Sequence, residues 1–314
     1  MDQARTLRSM TKQRKTPGGG GDAGKKTQKK QISSDKKVPT QVIAVTSGKG
    51  GVGKTNVVAN LGYALTKLNK RVLILDADIG LANLDVLLGF SPKYNLQHVL
   101  NGEKTIAEVL VSGPGGMKII PACSGVQELS DLSQAQKLCL LTELDYLYEE
   151  TDVFLIDTSA GISSNVMYFN VAAQEILIVV TPEPTSITDA YAMMKVLFLK
   201  YGEKHFSLLV NSAKGAEEAR EVFNHVSFVG QKFLNISIDY WGYIVRDEHI
   251  SKSVRQQKAL VARYPDAPAS QCFYELANKV CEQQPTNTAG GNIRFFWHHL
   301  LENMETPPLE MSKV

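Results

Sequence analysis

The sequence predicts an α/β fold, a mostly parallel twisted sheet flanked by helices, and three observations carry that prediction. From Gln41 to about Gln283, short runs rich in branched apolar residues alternate with longer stretches of helical apolar spacing. Runs such as Val72-Leu73-Ile74-Leu75 and Ile176-Leu177-Ile178-Val179-Val180 are apolar without alternation, as expected of strands covered by helices on both faces. The first run also leads through a glycine-rich loop, Ser47-Gly48-Lys49-Gly50-Gly51-Val52-Gly53-Lys54-Thr55, directly into a helical pattern.

In chain order, Gln41-Val42-Ile43-Ala44-Val45-Thr46 is β-branched and alternating, so it reads as the first strand. The helix over 54–69 follows from Val57, Leu61, Ala64 and Leu65 falling on one side. Further strands are expected near 72–76, 118–121, 153–157, 175–180, 206–211 and 238–244. Helices are expected near 134–149, 186–201, 216–231 and 268–283. No internal repeat is evident. In such sheets ligands sit beyond the carboxyl ends of the strands, which is where the chemically distinctive residues fall.

The chain has 314 residues, 43% of them hydrophobic, enough to bury a substantial core. It shows no run of the roughly 18 to 20 apolar residues that a membrane span needs and no apolar signal core, so a cytoplasmic location is expected. Cys123, Cys139, Cys272 and Cys281 have no metal-ligand spacing and read as reduced packing residues. The net charge of +2 hides an asymmetry: residues 1–39 carry 11 basic and 3 acidic side chains, a net +8, and leave −6 for the remainder. That arm is rich in Lys, Gln, Gly and Ser and reads as disordered. The expected organisation is a basic arm over 1–39, a nucleotide-binding domain over 40–284, and a linker with an amphipathic helix over 285–314.

Glycines allow the backbone N–H groups of Gly48, Lys49, Gly50, Gly51, Val52 and Gly53 to wrap a phosphate at a helix N-terminus. Lys54 then reaches the β and γ phosphates, the Thr55 hydroxyl ligates Mg²⁺, and Asn56 completes the nucleotide-binding set. The expected ligands are therefore ATP and Mg²⁺. After the second strand come Asp76, suited to the metal's shell, and Asp78, placed to face the γ phosphate. The run Val153-Phe154-Leu155-Ile156 ends in Asp157, an apolar strand followed by a metal-holding aspartate. Asp157-Thr158-Ser159-Ala160-Gly161 reads as a loop that senses the γ phosphate, with Asp78, Asn83, Asp157 and Gly161 as its switch residues. Asn83 and Asp85 are equally readable as helix-capping residues. Leu208-Leu209-Val210 ends in Asn211, either a turn residue or a base-reading amide.

Lys49 narrows the class, because Lys54 already neutralises the loop's own phosphates. The pattern Lys-Gly-Gly-x-x-Lys-Thr resembles the deviant loop of the MinD/ParA family of dimerising P-loop ATPases. The resemblance implies a face-to-face ATP dimer in which Lys49 reaches the partner's phosphates. It also implies Asp78 as the residue positioning the hydrolytic water and Asn211 as the reader of adenine, with the backbone from Tyr243 to Arg246 closing the other side of the base. The chain departs from the pattern at Ser159, where relatives often have Gly or Pro, and at Val245, where proline is common.

Ile293, Phe296, Trp297, Leu300, Leu301 and Met304 form one helical stripe after a glycine-containing linker. A core helix would share this spacing; terminal position and Phe/Trp content favour a detachable interfacial helix that binds membrane lipids. At the other end Asp2-Gln3-Ala4-Arg5-Thr6-Leu7-Arg8 is similar to the amino-terminal motif of the FlhG/FleN flagellar-number regulators, themselves MinD-like. Gly80 to Gly89, His98 to Lys104, Lys118 to Ala122, Thr181 to Tyr191 and Arg255 to Lys258 share the resemblance. It implies a regulator on the inner face of the cytoplasmic membrane. Its implied partners are the signal-recognition-type GTPase FlhF, activated through Gln3, and flagellar switch-ring (C-ring) proteins. Some relatives also restrain a flagellar transcription activator, a role the residues leave open. A ParA-type DNA-segregation ATPase would use the basic arm but leaves the terminal helix without a task, so DNA is not an expected partner. Division-site placement, as by MinD, is the nearest alternative.

Overall fold

The computed structural model describes residues 39–78, 83–121 and 150–283, together with the helical residues Thr142, Leu147, Trp297 and Leu300. Its strands are β1 (Gln41–Ser47), β2 (Val72–Ala77), β3 (Val111–Ser112), β4 (Lys118–Ile120), β5 (Val153–Ala160), β6 (Glu175–Val180), β7 (His205–Ala213) and β8 (Ser237–Val245). They form one sheet in the order β3-β4-β2-β5-β1-β6-β7-β8. All neighbours are parallel except β3 and β4. Consecutive strands depart to opposite sides of β1, so a crevice opens beyond its carboxyl end.

The described helices are α1 (Lys54–Lys67), α2 (Leu84–Leu88), α3 (Leu96–Leu100), α4 (Ile106–Val109), α5 (Ser164–Ala172), α6 (Pro184–Tyr201), α7 (Ala216–Leu234), α8 (Glu248–Arg255), α9 (Leu260–Arg263) and α10 (Pro268–Glu282). Every strand expected from sequence is present, and the long helices agree within a few residues. The elements sequence reading missed are β3, α2 to α5, α8 and α9, most of them too short to show a helical period. A signal existed for α4: Thr105 and Glu108 form a reciprocal capping box. Except for Thr142 and Leu147, the helix expected over 134–149 lies outside the described residues, as do the 1–39 arm without its last residue and Gln3.

On one face of the sheet, Val57, Leu61 and Leu65 of α1 and Phe273, Leu276 and Val280 of α10 bury against Ile43, Val45, Ile74 and Leu155. The other face carries two clusters. One joins Ile178, Leu208 and Val210 to Met193 and Leu197 of α6 and Val226 of α7. The second joins Leu73, Phe154 and Ile156 to Val99, Ile106 and Phe169, and it includes Trp297 and Leu300.

That last pair shows where the expected interfacial stripe rests in this state. Trp297 and Leu300 are each 0% exposed, and the Trp297 ring lies 6.4 Å from that of Phe154, centroid to centroid. Both apolar side chains gain more by leaving water against the sheet than by staying in it. At these two positions the terminal segment is part of the core. Ile293, Phe296, Leu301 and Met304 lie outside the described residues.

Candidate nucleotide site

The candidate site is assembled at the carboxyl ends of β1, β2, β5 and β7. β1 is buried throughout, which fixes the start of the loop that follows it. The Ser47 hydroxyl donates to the Lys49 carbonyl at 2.7 Å, and the Gly161 N–H donates to the Ser47 carbonyl at 2.9 Å, tying the end of β5 to the loop. A Cβ on Gly48 would fall 2.2 Å from the backbone carbonyl of Asp189, so only glycine permits this approach to α6. Gly53 is left-handed at φ 92° and caps α1 without a side-chain bond. The first-turn N–H groups of α1 are thus free of a capping side chain and available to an anion.

Lys54 is buried, and burial holds its ammonium below the usual lysine range against the upward pull of Asp157 and Asp78. Asp76 and Asp157 stand opposite each other on β2 and β5. Burial, reinforced by the charge of Asp157, pushes Asp76 up to about 7. Burial likewise pushes Asp157 up to about 7, opposed by the Thr55 hydroxyl and the Lys54 charge. Both Asp157 carboxylate oxygens are buried, and neither has a partner at normal hydrogen-bond geometry among the described residues, the Thr55 hydroxyl standing close enough only to favour the charge. A buried carboxylate short of hydrogen bonds needs a cation or its waters, so this donor set fits Mg²⁺, which Thr55, Asp157 and Asp76 would hold directly or through water. When bound, that ion supplies positive charge to the phosphate oxygens during transfer. Among the described residues no cluster of three or more His, Cys, Asp or Glu could hold an ion unaided, as suits an ion that arrives on phosphate.

Asp78 follows β2, half-buried; its N–H donates to Asp76 Oδ1 at 3.1 Å, and its Oδ1 accepts from the Ser159 hydroxyl at 2.9 Å. Asn83 is exposed and stands at the N-terminus of α2 without a side-chain cap bond; residues 79–82 between them lie outside the described set. Asn211 donates from Nδ2 to the Val52 carbonyl at 2.7 Å and accepts at Oδ1 from the Ser212 N–H at 2.9 Å. One N–H and one lone pair of its amide remain, the complementary pair that an adenine edge requires. Arg246 N–H donates to the Ala213 carbonyl at 2.8 Å, which keeps the end of β8 beside that amide's strand. Asn56 is occupied otherwise: its Oδ1 accepts from Asn60 Nδ2 at 2.7 Å, while Asn60 Oδ1 accepts from the Val261 N–H at 3.1 Å. This amide chain ties α1 to α9.

Lys49 makes contacts that sequence reading missed. Its Nζ lies 2.7 Å from Glu183 Oε2 and 2.8 Å from Thr185 Oγ1, at the start of α6. The segment containing both partners was legible as a resemblance, but no local signal points from it to a lysine 134 residues away. Ser159 was noticed for its departure from the usual residue and not as the partner of Asp78.

A loop that presents free N–H groups at a helix end, a desolvated lysine and two paired buried aspartates on neighbouring strands together define a P-loop ATPase of the MinD/ParA type. Residues 40–203 match the AAA domain family. MinD from Pyrococcus horikoshii, solved with Mg-ADP, superposes with TM-score 0.63 at 26% identity, covering 77% of this chain and 96% of that one. The MinC:MinD complex of Aquifex aeolicus is similar at TM-score 0.63 and 28% identity, over 78% and 97%. The chain is 44% identical to the antiactivator FleN of Pseudomonas aeruginosa over 85% of its own length and 96% of that protein. It is 34% identical to the flagellum site-determining protein YlxH of Helicobacter pylori, over 80% and 85%. The chain belongs to the FleN/YlxH (FlhG) family of MinD-like ATPases, and its reaction is ATP hydrolysis.

Proposed function

We propose that this ATPase is an ATP-switched homodimer that governs flagellar number or placement from the inner face of the cytoplasmic membrane. The names of its relatives, an antiactivator and a flagellum site-determining protein, support the flagellar reading. The observation that carries the dimer is Lys49. Its side chain is partly exposed at 35% and paired with a still more exposed glutamate and the Thr185 hydroxyl, so its charge can be handed to the phosphates of a facing protomer. Lys54 serves the phosphates of its own chain, and Asp78 positions the attacking water.

In this reading the terminal helix reaches lipid only after Trp297 and Leu300 leave the buried cluster that includes Phe154. Membrane binding therefore sets burial in lipid against burial in the protein, and two helices on one dimer gain by effective concentration. Gln3, carried on the basic arm, enters the active site of FlhF and orients its hydrolytic water. Switch-ring proteins, and a flagellar transcription regulator, are the remaining proposed partners.

The test is to count flagella in a deletion strain complemented with wild type or with Lys49→Ala. Wild type is expected to restore the normal number and Lys49→Ala to leave the deletion phenotype. Normal flagellation in the deletion strain itself would refute the reading.

A further inference from the structure

Asp157 and Ser159 lie at the carboxyl end of β5, where the register with β1 is irregular. From there the Ser159 hydroxyl reaches Asp78, 81 residues earlier, and donates to its Oδ1 at 2.9 Å. The Asp78 main-chain N–H is meanwhile spent on Asp76 Oδ1 at 3.1 Å. Asp78 is thus held twice, once through its backbone and once through its carboxylate, and its second oxygen makes no hydrogen bond among the described residues. The backbone bond fixes where the chain passes but leaves the carboxylate free to rotate about χ1 and χ2. Among the described residues, the Ser159 bond is what removes that rotation.

We propose that Ser159 is a positioning residue for ATP hydrolysis: it clamps Oδ1 of Asp78 so that Oδ2 is presented to the attacking water. This rests on the reading of Asp78 as the water-positioning aspartate. A carboxylate clamped at one oxygen has one orientation to offer, and orientation of the nucleophile is where a phosphoryl-transfer site does most of its work. Ser159 touches neither water nor phosphate in this scheme. Its loss costs alignment and not binding, and a threonine, which keeps the hydroxyl, restores the clamp.

The experiment compares full-length wild type with Ser159→Ala, Ser159→Thr and Asp78→Ala. In steady state Ser159→Ala is expected to lower kcat about tenfold, the scale of one lost charge-assisted hydrogen bond, with KM for ATP unchanged; Ser159→Thr recovers kcat. An unchanged or raised kcat in Ser159→Ala, a loss expressed in KM instead of kcat, or failure of the threonine to rescue overturns the clamp. Should Asp78→Ala hydrolyse ATP at the wild-type rate, the underlying reading of Asp78 fails. Should Asp78→Ala be inactive while Ser159→Ala behaves as wild type, the clamp alone fails.

Discussion

Two lysines five residues apart in one loop sit in opposite environments. Lys54 is 8% exposed, its charge disfavoured by burial and answered by carboxylates that are themselves desolvated. Lys49 lies at the rim, its ammonium resting on Glu183 and Thr185, with Glu183 largely in solvent. A buried cation beside buried carboxylates, one of them with neither oxygen well bonded, is an unfinished arrangement that phosphate and metal complete. A surface ion pair is a weak and exchangeable one. The difference teaches that one loop can bind its own nucleotide tightly while keeping a second charge on loan.

The comparison breaks first at Lys54. Lys54→Ala is expected to abolish ATP binding, with at least a hundredfold rise in Kd by calorimetry, because the buried pocket loses the cation that faces Asp157. Near-normal affinity would make the desolvated lysine ornamental. Lys49→Ala should leave Kd within a few-fold of wild type yet remove the ATP-dependent dimer from light scattering. Dimers of normal size and lifetime would end the proposed division of labour.

A third test uses pH. Asp76 and Asp157 have folded pKa values raised to about 7, above the ordinary 3.8. The nucleotide-free protein therefore holds protons that the unfolded chain has lost between those values. By linkage these two groups make it more stable as pH falls from 8 to 6, while each carboxylate must give up its proton to face Mg²⁺. Mg-ATP affinity should fall by up to about tenfold per unit below pH 7 for each proton released, and calorimetry in two buffers of different ionisation enthalpy counts those protons. The smallest effect belongs to Glu183→Gln. Freed of an exposed ion pair worth at most about 1 kcal/mol, Lys49 should support dimerisation at an ATP concentration lower by two- to fivefold. A rise in the concentration required would show that Glu183 assists the dimer.

The residues legible in the sequence share one property: each belongs to a short motif at the end of a strand. Lys54, Asp76, Asp157 and Asn211 could be placed because a strand, a loop and a helix within about ten residues fix them. Glu183 and Ser159 were not assigned roles because their contacts span 134 and 81 residues, and only the packed sheet brings the ends together. Asn56 shows the converse: it sits beside Thr55 in sequence, but the helix turns its amide oxygen onto Asn60. The terminal stripe was legible as apolar and helical at Trp297 and Leu300, while its docking against the sheet was not, since the same period serves a helix on lipid and a helix on a sheet. Short elements such as α2 and α4 fell below the length at which periodicity can be seen.

The chain has two tryptophans, Trp241 within β8 and Trp297 on the terminal stripe, exposed to 2% and 0%. Trp241 belongs to a strand of the sheet, so its emission is a constant background, and Trp297 is the fluorophore whose surroundings depend on where the last helix rests. The protein thus carries its own optical gauge, blue-shifted while the helix is docked. Its emission moves to the red if Trp297 enters water and stays blue, yet becomes open to quenching by brominated lipid, if it enters a bilayer.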